Sequence, residues 1–172
     1  MLSQTVLLAA LVCPLAACQS TGPNDRQLHD PMTAVSYALI DVALDDFHDA
    51  AAHADLDRYF GHLAEHAVFV GTDATERWSK AAFQTYAAPH FEGNSAWTYT
   101  PVSRTITLGP SGDVAWFDEL LSNASYGQVR GSGVLIQTGG TWLIEHYVLS
   151  FAIPNAAAQS VVEAVRAQAS QD

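Results

Sequence analysis

Thr138-Gly139-Gly140-Thr141 joins two runs rich in β-forming residues, and a Gly-Gly pair in that setting predicts a two-residue hairpin with positive φ at both central positions. A tight hairpin fixes register, and register decides which side chains share a sheet face. Simple closure sets Gly133 opposite His146. The looser turn Asn123 to Gly127 then sets Glu119 opposite Gly131 and Phe117 opposite Gly133. Gly109-Pro110-Ser111-Gly112 closes a further hairpin, whose simplest form places Arg104 opposite Phe117 and Val102 opposite Glu119. The run Trp97 to Leu108 becomes a fourth strand, bulged at Pro101.

Alternation along these strands gives two faces. The first holds Val102, Arg104, Phe117, Glu119, Gly131, Gly133, His146 and Val148; the second holds Trp116, Asp118, Leu120, Arg130, Tyr147, Leu149 and Phe151. Two glycines leave floor space beside Phe117, with Arg104, Glu119 and His146 converging around it. An apolar hollow with a few polar groups is the usual form of a small-molecule site. One bulge in a strand would hand the role to Asp118, Arg130 and Tyr147 instead.

The chain opens with a short apolar run, Met1 to Ala17, ending in Leu15-Ala16-Ala17 directly before Cys18. That run is too short to span a bilayer and suits a cleaved signal. Leu-Ala-Ala-Cys resembles the lipobox of bacterial lipoproteins, which implies lipidation of Cys18 as the first mature residue. The absence of Lys or Arg before the apolar run departs from that pattern. Cleavage removes Cys13, so the mature domain has no disulfide. Roughly 155 residues remain, enough for one domain with its own core. The net charge of −11 lies entirely beyond Cys18 and argues against nucleic acid and anionic headgroups as partners. Membrane attachment then rests on acyl chains, in the bacterial cell envelope. Gln19 in place of an aspartate after the cysteine favours the periplasmic face of the outer membrane.

Residues 18–32 read as the lipidated cysteine and a flexible tether, and 33–172 as a single domain. From Thr33 to Ala54 the period is helical, with Leu39, Ala43, Phe47, Ala50 and Ala54 as the apolar stripe and Asp41, Asp45 and Asp49 as a solvated ridge. Asp55 caps a second helix reaching about Ala64. His62-Leu63-Ala64-Glu65-His66 matches H-x-x-E-H, but that zinc pattern needs a sustained helix and a further ligand, whereas strand signals begin at Ala67. No metal or other cofactor is expected. Trp78 precedes a helix from Ser79 to Ala88, and with Tyr86 it is a candidate for a pocket mouth. A closing helix, Ala156 to Gln168, is expected to pack on the second sheet face or on a partner chain.

Two helices, a strand, a helix and a four-stranded meander make an α+β order. On AVFVGTDATERW, Asp113-Val114-Ala115-Trp116, Arg130-Gly131-Ser132-Gly133 and Gly140-Thr141-Trp142-Leu143-Ile144-Glu145-His146, residues 33 to 155 resemble the SnoaL-like branch of the nuclear transport factor 2-like superfamily. The resemblance implies a cone-shaped fold, a curved antiparallel sheet wrapped around N-terminal helices, with a pocket on the concave face. Many such relatives end the last strand in His-x-His-x-Ser; here His146 and Ser150 match and Val148 replaces the second histidine.

The resulting expectation is a membrane-tethered small-molecule-binding or assembly module. Its ligand is small and apolar or amphipathic, and a homodimer would use Trp116, Leu120, Tyr147, Leu149 and Phe151. The alternative is an isomerase, dehydratase or cyclase with Glu119 or His146 as general base and Arg104 stabilising an enolate. That chemistry needs a carboxyl pKa raised by its apolar surroundings.

Overall fold

Helix α1 (Pro31–Ala52) is the element around which the sheet curves. The computed structural model describes residues 31–169. Ile40, Leu44, Phe47 and Ala51 recur at helical spacing and are all buried, so they form the face that α1 turns to the interior. Leu39 is exposed, which corrects the expected stripe by one residue. Asp55 caps the next helix, α2 (Leu56–Gly61), by accepting the Arg58 backbone N–H at 3.1 Å. Strand β1 (Leu63–Val70) starts earlier than expected, so the H-x-x-E-H stretch lies on a helix end and a strand rather than on a helix. Among the described residues no group of three or more His, Cys, Asp or Glu is placed to hold a metal.

A short strand that sequence periodicity does not reveal, β2 (Arg77–Ser79), pairs antiparallel with β1. Ser79 caps α3 (Lys80–Ala87), and Pro89 lies in the 3-10 turn Ala88–Glu92 that follows. The meander is β3 (Thr100–Leu108), β4 (Val114–Asn123), β5 (Gly127–Thr138) and β6 (Thr141–Phe151). With β1 parallel to β6, the six-stranded sheet runs β2-β1-β6-β5-β4-β3, curved and unclosed, with α1, α2 and α3 against it. This is the expected mixed α+β cone. No described helix is long and apolar enough to cross a membrane.

Register follows the hairpin signals over most of the sheet. Gly139 and Gly140 both have positive φ, and Glu119 pairs with Gly131 and Phe117 with Gly133. The β3–β4 hairpin is longer than its simplest closure: Gly109 bonds Val114, so Arg104 pairs with Glu119 and Ile106 with Phe117. The irregularity near Pro101 falls between Pro101 and Ser103. The larger correction is in β6. Leu135 pairs with Ile144 but Val134 pairs with His146, so Glu145 is an extra residue on β6, a β-bulge. Gly133 therefore faces Tyr147 and not His146. Trp142 and Ile144 point inward before the bulge, and Tyr147 and Leu149 do so after it.

Helix α4 (Ala158–Ala169) follows a 3-10 turn and buries none of its residues, so within this chain it does not cover the second sheet face as expected. The interior is built from rings. Phe47 stacks on Tyr59 at 4.3 Å, Phe69 stacks on Phe83 at 3.9 Å, and Phe69 stacks on Tyr147 at 5.3 Å. Each such buried ring stabilises the fold by about 1.5–3 kcal/mol.

The bulge brings the His146 carbonyl against Gly133, where an added Cβ would lie 2.1 Å from that oxygen and 2.9 Å from a Phe117 ring carbon. Backbone cannot swing aside as a side chain can. Gly133→Ala is expected to destabilise by at least about 1–3 kcal/mol in denaturant unfolding. Gly61→Ala, with nothing within 4 Å of the new methyl, is expected to stay within about 1 kcal/mol of the parent. Equal midpoints for the two variants would remove the bulge from β6.

Candidate functional site

A carboxylate sits at the centre of the fold. Glu119, on β4, is 1% exposed, and an isolated charge at that depth would cost far more than a domain can spare. Three elements supply its partners. From α1, the His48 Nε2 lies 2.7 Å from Oε1; from β6, the Tyr147 hydroxyl donates to the same oxygen at 3.1 Å. From β3, the Arg104 Nε donates to Oε2 at 2.9 Å, while its Nη2 lies equally close without hydrogen-bond alignment. The Arg104 Nη1 then reaches outward to Asp41 and Asp45 of α1, at 2.5 and 2.9 Å. Two aspartates of the expected solvated ridge thus hold a buried guanidinium. The third, Asp49, pairs with Arg58, which also bonds Asp46, itself 2.7 Å from the His62 Nε2.

Burial pushes the Glu119 carboxyl upward, but the hydrogen bond and charge of His48 and the Arg104 guanidinium outweigh it and hold the carboxyl below the usual range. The rise that a Glu119 general base requires is therefore reversed. As an ionised carboxylate Glu119 can only accept, so His48 Nε2 carries the proton between them. In the neutral ring this leaves Nδ1 as an acceptor, with no protein partner among the described residues. Burial, and then the neighbouring Glu119, hold the Tyr147 hydroxyl well above its ordinary value, so it stays a donor.

Beside this network opens a cavity of about 700 Å³. His48 and Tyr147, both buried, belong to its wall, which puts them at the inner end. Phe47, Tyr59, Phe69, Phe83 and Trp97 line the body, and half-exposed Tyr86 and Tyr126 lie toward solvent. Trp78 and Tyr86 are both on the wall, stacked on each other at 4.8 Å.

The other candidate residues are placed differently. Arg104 and Glu119 come together, and Phe117 is buried 5.9 Å from the Tyr147 ring, but none of the three is on the cavity wall. The space left by Gly131 and Gly133 is filled from within. A Cβ on Gly131 would lie 2.3 Å from the Tyr147 hydroxyl and 2.8 Å from Glu119 Oε1. His146 lies on the opposite side of the bulged strand from Tyr147 and does not line the cavity, a correction that follows from the single extra residue Glu145. Asp118 and Arg130 stay exposed, 3.9 Å apart. Cys18 lies outside the described residues. Sequence reasoning missed His48. The available signal was the run Ile40, Leu44, Phe47 and Ala51, whose buried arc includes position 48.

The comparisons with known proteins agree with this architecture. No curated protein matches the chain. Among solved structures, it is similar to an NTF2-like protein of unknown function from Pseudomonas putida KT2440, at 16% identity over 69% of this chain and 87% of that one, with TM-score 0.58. A protein provisionally named a dehydratase of the NTF2-like family, from Streptomyces avermitilis, shares 12% identity over 70% of this chain and 99% of its own, with TM-score 0.60. An NTF2-like protein from Cytophaga hutchinsonii shares 12% identity over 67% and 97%, with TM-score 0.55. At such identities the likeness is one of fold. The SnoaL-like domain model matches residues 40–154, spanning α1 through the end of β6, and the chain therefore belongs to the SnoaL-like family of the NTF2-like superfamily.

Proposed function

We propose that this chain is a lipid-anchored protein of the bacterial cell envelope, on the periplasmic face of the outer membrane, whose domain binds a flat, largely apolar small molecule. The observation that carries the binding reading is the aromatic cavity with two buried polar groups, His48 and Tyr147, at its inner end. Stacked rings give a planar ligand large contact area, and a few fixed polar atoms orient it. The anchor rests on Leu-Ala-Ala-Cys at residues 15–18. Homodimer formation is part of the same reading. Its surface is the outer sheet face, where Trp116 is exposed and Leu120 half-buried; Tyr147, Leu149 and Phe151 share the inner face after the bulge and drop out of it.

A second reading, proton-transfer catalysis of the isomerase or dehydratase class, is favoured by one specific feature. Glu119 fixes the Nε2 proton of His48 and leaves Nδ1 as the basic atom, the arrangement by which a carboxylate orients an imidazole base. His48 takes the place given to His146 by the simple register, and Glu119 positions it without accepting the substrate proton.

Native mass spectrometry of the chain purified from the producing cells is expected to show a constant excess mass that disappears on denaturation. Its mass identifies the ligand class, and the same spectrum reads the oligomeric state. Trp78→Ala is expected to weaken that ligand by about tenfold, the loss of one stacking ring. A bare folded chain that binds no member of an aromatic ligand library would overturn the reading.

The two readings part at His48. If the site only binds, His48→Asn changes the dissociation constant several-fold, as the loss of one hydrogen bond does. If it catalyses, the same change lowers kcat by about 10²–10⁴ with little effect on KM. Glu119→Gln removes the buried partner of Arg104, which keeps Asp41 and Asp45, and is expected to cost about 1–3 kcal/mol of stability in either case.

Cys18→Ser is expected to release the protein from membranes and to abolish incorporation of labelled fatty acid. Continued partition into detergent would sink the anchor.

A further inference from the structure

The charge pattern of the cavity discriminates between ligands more sharply than its shape. Among the described residues on its wall Glu76 is the one carboxylate, and no Lys or Arg is present. Glu76 is half-buried in the loop after β1. Its Oε2 accepts the Asp73 backbone N–H at 3.1 Å, and among the described residues it pairs with no cation. The buried cation nearest the cavity floor, Arg104, is already engaged by Glu119, Asp41 and Asp45. A carboxylate or phosphate entering this cavity would lose water and gain no counter-charge, at a cost of several kcal/mol.

Around Glu76 the wall is aromatic. Trp78 and Tyr86 stack at 4.8 Å, His90 lies 5.5 Å from Tyr86, and Tyr99 and Tyr126 are wall residues too. These groups are within electrostatic reach of one another. The Tyr99 hydroxyl is pushed up to about 12, first by burial and then by Tyr126, Glu76 and Tyr86. Ring faces carry negative quadrupole potential, and a carboxylate beside several of them makes a site that attracts an organic cation. A chain with net charge −11 adds a field of the same sign.

We propose that the cavity takes a fused-ring or otherwise flat aromatic molecule bearing an amine or quaternary ammonium group, with the rings among the inner aromatics and the cation at the mouth between Glu76 and the stacked Trp78–Tyr86 pair. The proposal rests on the reading of the cavity as a small-molecule site and adds the charge of the ligand to it. Glu76 is a binding residue in this scheme; no bond is made or broken.

The test uses three probes of one ring system, (2-naphthylmethyl)trimethylammonium, 2-naphthylmethanol and 2-naphthylacetate, titrated calorimetrically into the protein purified from the producing cells and its Glu76→Gln variant. The ammonium probe is expected to bind about tenfold more tightly than the alcohol, and the carboxylate more weakly than either. Glu76→Gln is expected to bring the ammonium-to-alcohol ratio to about threefold or less while leaving the alcohol unchanged. Because the alcohol is measured in the same variant, a folding defect cannot imitate that result. Binding of the alcohol with no preference for the cation, or a preference that survives Glu76→Gln, overturns the proposal and leaves the cavity reading standing. If none of the three probes binds, both fail together.

Discussion

The buried carboxylate of Glu119 is the constraint on which the rest of the arrangement depends. A charge at that depth is tolerated only with its partners in place, and those partners come from α1, β3 and β6. The network therefore sets the angle and height at which α1 crosses the sheet more strictly than apolar packing could, since rings slide where ion pairs do not. Asp41 and Asp45 extend it to the surface by clamping the far side of Arg104. The cavity is the space left beside this fixed crossing. Its inner wall is the edge of the network itself, through His48 and Tyr147.

Much of this was readable from the residues, and the exceptions have identifiable physical causes. Turns marked by Gly-Gly and by Asn123 to Gly127 carry their own geometry, so the pairing of Glu119 with Gly131 follows from sequence and is observed. The bulge at Glu145 carries no such mark. It has neither glycine nor proline, and Trp142-Leu143-Ile144-Glu145-His146-Tyr147 alternates well enough to pass for a regular strand. One extra residue exchanges the faces of everything after it, which is why Tyr147 occupies the position that alternation assigns to His146. On α1 the ambiguity was rotational. Alanines at 43, 50, 51 and 52 blur the apolar arc, and the expected stripe left out His48 although it held Phe47 and Ala50, which are buried.

Membership of the SnoaL-like family leaves the activity open, because this fold carries unrelated functions on the same frame. What narrows the choice is the protonation of the network. A general base needs a free lone pair and a pKa near the working pH. Glu119 fails the second requirement, because the hydrogen bonds and charge around it hold its carboxyl below the usual range. Acid–base chemistry at the inner end of the cavity therefore falls to His48, so binding and catalysis converge there on one imidazole and differ only in what its second nitrogen does.

The placement of charge also orders a ligand within the cavity. At the inner end the Glu119 charge is already balanced by Arg104, and both its oxygens accept hydrogen bonds, so it exerts little net pull on a cation. At the mouth Glu76 is unbalanced by any described cation and is surrounded by ring faces. A molecule with a cationic end and an apolar end consequently has one favourable direction of entry, rings first, which leaves the ammonium where it can remain partly hydrated. That orientation brings the ring system, and not the cation, to His48 Nδ1. If proton transfer occurs here, the carbon or oxygen acid must belong to the aromatic part of the molecule.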